Sequence, residues 1–170
     1  VDVALKQAGQ PITLQGVELA STSADEAEVL LTEAVKLDPR NDVAYAKLGE
    51  IYDLRGQDAK AADNYEKALT IDSGFTSLYL PLALAYVETG QIAKAETYLA
   101  KTETLGGDAV VEAKLARSRI LYKQNKNEEA LAVIEDAVRS DPRNAEAFTQ
   151  QGAIYSRLER PDMATAAYKK

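Results

Sequence analysis

The chain has 170 residues, 46% of them hydrophobic, enough to close a core in one compact domain or a short repeat array. Twenty Lys plus Arg against 27 Asp plus Glu leave a net charge of -7, the wrong sign for a general binder of phosphate backbones or anionic membrane surfaces. With no Cys and no His, the chain excludes disulfide frameworks, thiolate nucleophiles, HExxH or Cys-ligated zinc and Ser-His-Asp chemistry.

Residues 1–24 are expected to form a degenerate N-terminal cap or first helix. Pro11 can open a helix there and Leu14 and Val17 can pack, but Gln15-Gly16 and Glu18 stand where later segments place small and aromatic residues. Val1-Asp2-Val3 has neither an initiator Met nor a basic-then-apolar leader, and no window approaches the run of about 18 apolar residues that spans a membrane. Ser23 with Glu26 reads as a capping box opening a helix that carries Ala27, Leu31 and Ala34 on one face.

Next, Tyr45, Leu48, Gly49 and Tyr52 fall at i, i+3, i+4 and i+7, one face of a helix, and Ala61, Tyr65, Ala68 and Leu69 repeat the pattern after Gly56. Further along, Gly90 and Asn125 occupy the same place as Gly56 and predict left-handed turns that fold successive helices antiparallel. Lys114 and Arg117 take two normally apolar positions, so the helix that carries them is expected to use Ala113, Ala116 and Ile120 instead. Near the end, Gln151 replaces Leu, Glu159 replaces the turn Gly, and Pro161 opens a last helix. Thr165–Lys170 still read as helix with no stop, which predicts a segment of a longer protein.

One offset relates these elements. Ala27, Ala61, Ala95, Ala130 and Ala164 lie 34, 34, 35 and 34 residues apart. Leu31, Tyr65, Leu99, Ile134 and Tyr168 follow the same spacing, as do Ala34, Ala68, Thr102 and Ala137. The single extra residue fits the Gly106-Gly107-Asp108-Ala109-Val110 connection, because loops accept insertions cheaply. The units run at about 8–41, 42–75, 76–109, 111–144 and a truncated 145–170. A lone helical hairpin cannot bury both its apolar faces, so such units must stack.

The second unit reads Tyr45, Leu48-Gly49, Tyr52, Gly56, Ala61, Tyr65 and Ala68, with Ser73 near its end. In this it resembles the tetratricopeptide repeat (TPR), whose pattern usually has Pro where Ser73 stands. The resemblance covers residues 25–170 and implies an all-α, right-handed superhelical solenoid of antiparallel helix pairs with a 34-residue period. It also implies noncatalytic protein-protein interaction, with no cofactor. At the level of resemblance, consensus-like repeats without Cys or His suit a bacterial scaffold in cytoplasm or periplasm.

Catalytic alternatives find little support in the residues. Glu50 with Asp53, or Glu128 with Glu129, could be named an acid/base pair, but carboxylates on solvated helix faces do not split their pKa values. No GxGxxG, GxxxxGK[ST] or DxDxDG loop is present, and no metal ligand set is expected.

On a helical wheel the first helix of each unit turns five positions away from the packed face, and stacking makes them one concave wall. That wall would contain Val43, Ala46, Glu50, Asp53 and Leu54, then Ser77, Leu80, Leu84, Val87 and Glu88. It would continue with Glu112, Leu115, Arg119, Tyr122 and Lys123, and with Glu146, Thr149, Ala153, Ser156 and Arg157. An apolar centre at Leu80, Leu84 and Val87, flanked by acidic Glu50 and Asp53 and basic Arg119, Lys123 and Arg157, is the candidate groove.

Some family members hold a chaperone's C-terminal carboxylate with Lys and Asn on their first helices. This chain has Ala46 and Glu50, or Leu80 and Leu84, in those places. The expected partner is therefore an extended or helical peptide with an apolar anchor, with no nucleic acid and no membrane insertion. Two other roles remain open: self-assembly through the solenoid ends, and a docking arm for a larger enzyme whose catalytic domain lies elsewhere.

Overall fold

The computed structural model describes residues 2–20 and 23–170, with side chains from residue 7 onward. Val1, Ser21 and Thr22, which fall within the predicted cap 1–24, lie outside the described residues. Among the described residues every regular element is helical.

The chain divides into two units, Val1–Gln91 and Ile92–Lys170. The first holds α1 (Asp2–Leu19), α2 (Ala24–Leu37), α3 (Asp42–Leu54), α4 (Asp58–Ile71), a 3₁₀ turn at Thr76–Leu78 and α5 (Tyr79–Glu88). Here α1 packs on α2 and α3 on α4, and α2 on α3 and α4 on α5 continue the stack. The second unit holds α6 (Ile92–Leu105), α7 (Ala109–Lys123), α8 (Asn127–Ser140), α9 (Ala145–Arg157) and α10 (Pro161–Tyr168). In it α7 packs on α8 and α9 on α10, with α6 against α7 and α8 against α9.

The periodic residues are the core. Ala27, Leu31, Ala34, Ala61, Tyr65, Ala68, Ala95, Leu99, Thr102, Ala130, Ile134 and Ala137 are each no more than 2% exposed. Alanine at these places lets paired helices approach closely, and the bulky residue one turn on fills the space that remains. At Gly49 the approach is so close that a Cβ there would fall 2.5 Å from the Tyr65 ring. No side chain larger than hydrogen fits without displacing that ring.

The turns within hairpins follow the predicted chemistry. Gly56, Gly90 and Asn125 adopt φ of 65°, 74° and 61°. In each, the next residue's N–H reaches back across the last helical turn: Gln57 to Tyr52 O and Gln91 to Tyr86 O at 2.8 Å, and Lys126 to Leu121 O at 2.9 Å. Glu159 takes the same conformation at φ 57°, although it carries a Cβ that this region disfavours.

Local expectations needed correcting at the N-terminal end. Pro11 does not open a helix; it lies inside the 18-residue α1, which pairs with α2. Gly16, rather than Gln15, supplies the close approach, because a Cβ on Gly16 would come within 2.8 Å of Leu31. Ser23 is the N-cap of α2, but its side chain makes no capping hydrogen bond. Side-chain caps are made instead by Asn41 of α3, accepting from Ala44 N at 3.0 Å, and by Asn144 of α9, accepting from Ala147 N at 2.9 Å.

The inserted residue is not spent on loop length. Three residues, Gly106–Asp108, connect α6 to α7, and α7 is 15 residues long against 13 for α3 and α9. The addition has gone into the first turn of α7. Ala113, Ala116 and Ile120 of this helix are buried as expected.

Candidate protein-binding face

In the first unit the outward face is carried by α3 and α5. On α3, Val43 is 41% and Leu54 83% exposed, while Ala46 is buried at 1% and drops out of the wall. Glu50 is half-buried and pairs with Lys47 one turn earlier at 2.7 Å. Asp53 is exposed, yet desolvation by the surrounding helix surface, followed by repulsion from Asp58, pushes its carboxyl above the ordinary range.

The predicted apolar centre is less open than the wheel suggests. Val87 is buried at 6%, and Leu80 and Leu84 are half-buried. The reason is in the composition of α5: Tyr79–Val87 is apolar on every side, and a helix hydrophobic all round is covered rather than displayed. The exposed apolar residues of this face are thus Leu54 and Val43 of α3. Helical spacing already assigned both to the wall, but the sequence ranked them below the α5 leucines.

In the second unit α7 and α9 form the corresponding face. Arg119 is half-buried and lines a cleft of about 210 Å³ together with Ser118, Tyr122, Glu146, Gln150, Ala153 and Ile154. Arg119, Tyr122, Glu146 and Ala153 were expected on this wall. Gln150 was not, although it sits one helical turn from Glu146 and its Nε2 donates to Glu146 Oε1 at 3.1 Å. Leu115, also expected there, is buried at 4%.

Lys123 is exposed, whereas Arg157 is held by its neighbours. The Arg157 Nη1 donates to Tyr122 O at 2.9 Å and to Asn125 Oδ1 at 3.3 Å, and the guanidinium lies 3.7 Å from the Tyr122 ring centroid. A cation there satisfies the Tyr122 carbonyl at the C-terminal end of α7. Its first task is to fasten α9 to α7.

Glu146 also borders a second cleft of about 640 Å³ at the start of α7 and α9, where Asp108, Glu112 and Asp141 face Val110, Val111 and Leu115. At the other end of this unit, Phe148, Gln151, Tyr155, Met163, Ala166, Ala167 and Lys170 line a recess of about 230 Å³. Met163 in this recess is 47% exposed; Tyr168, whose ring lies against Gly152, is 54% exposed although it is the repeat equivalent of fully buried Tyr65. Among the described residues no cluster of three or more Asp or Glu could hold a metal ion, and no helix is long and apolar enough to cross a membrane.

Stacked antiparallel hairpins with a 34-residue period define a helical-repeat protein of the solenoid class. Tetratricopeptide-repeat profiles match residues 43–75, 80–145 and 115–170, and the chain belongs to that family. It is a protein-interaction scaffold built from that repeat. It is 30% identical over 162 residues to a probable UDP-N-acetylglucosamine–peptide N-acetylglucosaminyltransferase SPINDLY of Hordeum vulgare, a match covering 95% of this chain and 14% of that protein. It is also 36% identical over 80 residues to the BBSome complex member BBS4 of Bos taurus, covering 47% of this chain and 15% of that protein. The chain therefore spans about one seventh of the length of these curated relatives.

Among solved structures, YrrB, described as a TPR protein with an unusual peptide-binding site, shares the fold with a TM-score of 0.78 at 24% identity, over 98% of this chain and 90% of that one. A MamA structure gives a TM-score of 0.81 at 20% identity, over 97% and 88% of the two chains.

Proposed function

We propose that this protein binds a peptide or protein segment along the outward faces of its first helices, without catalysis. The observation that carries the reading is the α7/α9 cleft, where an apolar lining and a half-buried arginine lie on the face that helical periodicity assigns to the wall. The face of α3 adds exposed Leu54 and Val43 beside Glu50 and Asp53. Apolar contacts would supply most of the affinity, and Glu50, Asp53, Arg119 and Lys123 would set orientation and selectivity. Leu80 and Leu84 would contribute the portions they still expose, and Val87 would support them from beneath. Arg157 would act by holding α9 in place.

The test is affinity capture from the source lysate with the intact chain and with Leu80→Asp/Leu84→Asp side by side. Capture should be lost while the helical circular-dichroism signal is kept. Because both leucines are half-buried, Glu50→Lys/Asp53→Lys serves as a surface-only companion and should change which proteins are retained. Unchanged capture by both variants would refute the groove.

A second reading, self-assembly, is favoured by the apolar recess on α9 and α10 with its exposed Met163, and by exposed Tyr168 on α10. Met163→Glu/Tyr168→Glu should then abolish any concentration-dependent dimer seen by sedimentation. The role of docking arm for a larger enzyme rests on the match to one seventh of a glycosyltransferase.

A further inference from the structure

Two polar atoms in the α7/α9 cleft are used by nothing in the fold. Arg119 Nε and Gln150 Oε1 are both shut off from solvent and hydrogen-bond to no other group. Their chemical sense is fixed. Arg119 Nε is a permanent donor, and Gln150 is oriented by Glu146, because only its amide nitrogen can donate to that carboxylate. The residues that line the cleft thus carry one unused donor and one unused acceptor beside the apolar surfaces of Tyr122, Ala153 and Ile154. A buried polar group left unpaired costs free energy that a ligand can recover.

Resting on the groove reading above, we propose that this cleft takes a carboxamide, the side chain of a glutamine or asparagine in the bound segment. Its carbonyl oxygen accepts from Arg119 Nε–H and its amino group donates to Gln150 Oε1. Both protein side chains keep part of their surface exposed, so rotation of the Arg119 stem, and of the Gln150 amide about its Nε2 bond to Glu146, turns these atoms toward the ligand. At about 210 Å³ the space suits a single side chain rather than a drug-sized molecule.

The competing side chains fit less well. A carboxylate cannot donate to Gln150 Oε1, and it would meet Glu146 and the acidic cleft beyond it, with Asp108, Glu112 and Asp141. An ammonium could donate to Gln150 but would face the Arg119 guanidinium. An aliphatic chain would fill the walls and leave both polar atoms unpaired.

The experiment titrates the full chain with pentapeptides, acetylated and N-methylamidated, of sequence Ala-Ala-X-Ala-Ala with X as Gln, Glu, Lys or Leu, followed by nitrogen-15 NMR. The Gln peptide should shift the Arg119 Nε–H and Gln150 side-chain amide signals and bind about fivefold tighter than the others, as one or two net hydrogen bonds allow. Arg119→Lys, which keeps the charge but removes the Nε donor, should erase that preference, and so should Gln150→Met. Equal or tighter binding of the Glu, Lys or Leu peptide, or no movement of those two signals, would overturn the proposal. The groove reading is judged separately by capture with the Leu80/Leu84 variant, so the two can fail independently.

Discussion

The hairpins α3/α4 and α7/α8 occupy equivalent places in the repeat and solve the same packing problem with different chemistry. In α3 the inward positions are Leu48, Gly49 and Tyr52; the equivalents in α7 are Arg117, Ser118 and Leu121. Gly49 clears room for the Tyr65 ring, but in the later hairpin Ile134 stands in place of that tyrosine and Ser118 is tolerated, donating to Ala130 O at 3.1 Å. Arg117, half-buried, donates to Glu96 at 3.0 Å and to both oxygens of Glu103 at 2.6 and 2.7 Å. Burial alone would lower the Arg117 pKa, and those two carboxylates more than reverse it. Lys114 similarly pairs with Asp136 of α8. The repeat thus constrains helix separation more tightly than it constrains polarity, provided a charge placed at an apolar position finds its partners on the adjoining helix.

The sharpest way to break the comparison is at the small residue. Gly49→Val should cost about 3 kcal/mol, because the added carbons meet a buried aromatic ring and the helices must separate. Thermal unfolding measures it, and the loss should exceed that of Ser118→Val in the hairpin without the tyrosine.

The ionic solution can be broken from the acidic side. Glu103→Gln should destabilise by about 1–2 kcal/mol, since it leaves a half-buried guanidinium with weaker acceptors. Arg117→Leu combined with Glu96→Gln and Glu103→Gln restores the residue type found at Leu48 and should recover most of that loss in urea denaturation. If the triple variant is the least stable of the set, polarity at this position matters more than stated.

A smaller effect of opposite sign is expected at the turns. Glu159→Gly should stabilise by about 1 kcal/mol by relieving a left-handed residue that carries a side chain, as measured by the melting temperature. Asn125→Gly should gain less, because asparagine tolerates that region and its Oδ1 accepts from Arg157.

The smallest effect is a pH dependence in the first unit. The Arg55 guanidinium, and then the Tyr52 hydroxyl, hold the Glu28 carboxyl below its ordinary range. An acid with a depressed folded-state pKa lends stability that is present above its unfolded value, about 4.3, and is lost as pH falls through the lower folded value. The urea midpoint should therefore drop below about pH 4.3, and Glu28→Gln should make that decline shallower. Asp136, lowered by Lys114 and then Arg139, should behave the same way in the second unit.

What was legible in the sequence follows from the same contrast. The alanine and aromatic series mark positions where packing admits few residue types, so their period showed in Ala27, Ala61, Ala95 and Ala130, and the turns showed in Gly56 and Gly90. The Arg117 and Lys114 pairings were not legible, because which carboxylate lies opposite depends on how helices adjoin in space. Exposure on the outward face was only partly legible. A helical wheel gives direction but not depth, so it placed Leu54 and Arg119 outward yet could not tell that Val87 and Leu115 are covered. Nor could it reveal two unpaired polar atoms at Arg119 and Gln150.

Hydrogen-deuterium exchange of the chain, with and without its captured partner, tests most directly where recognition occurs. Binding along the first helices predicts added protection in α3, α5, α7 and α9, centred on Leu54, Leu84 and Arg119, with α4, α6 and α8 unchanged. Protection confined to the second helices, or to α10 and the recess around Met163, would contradict it.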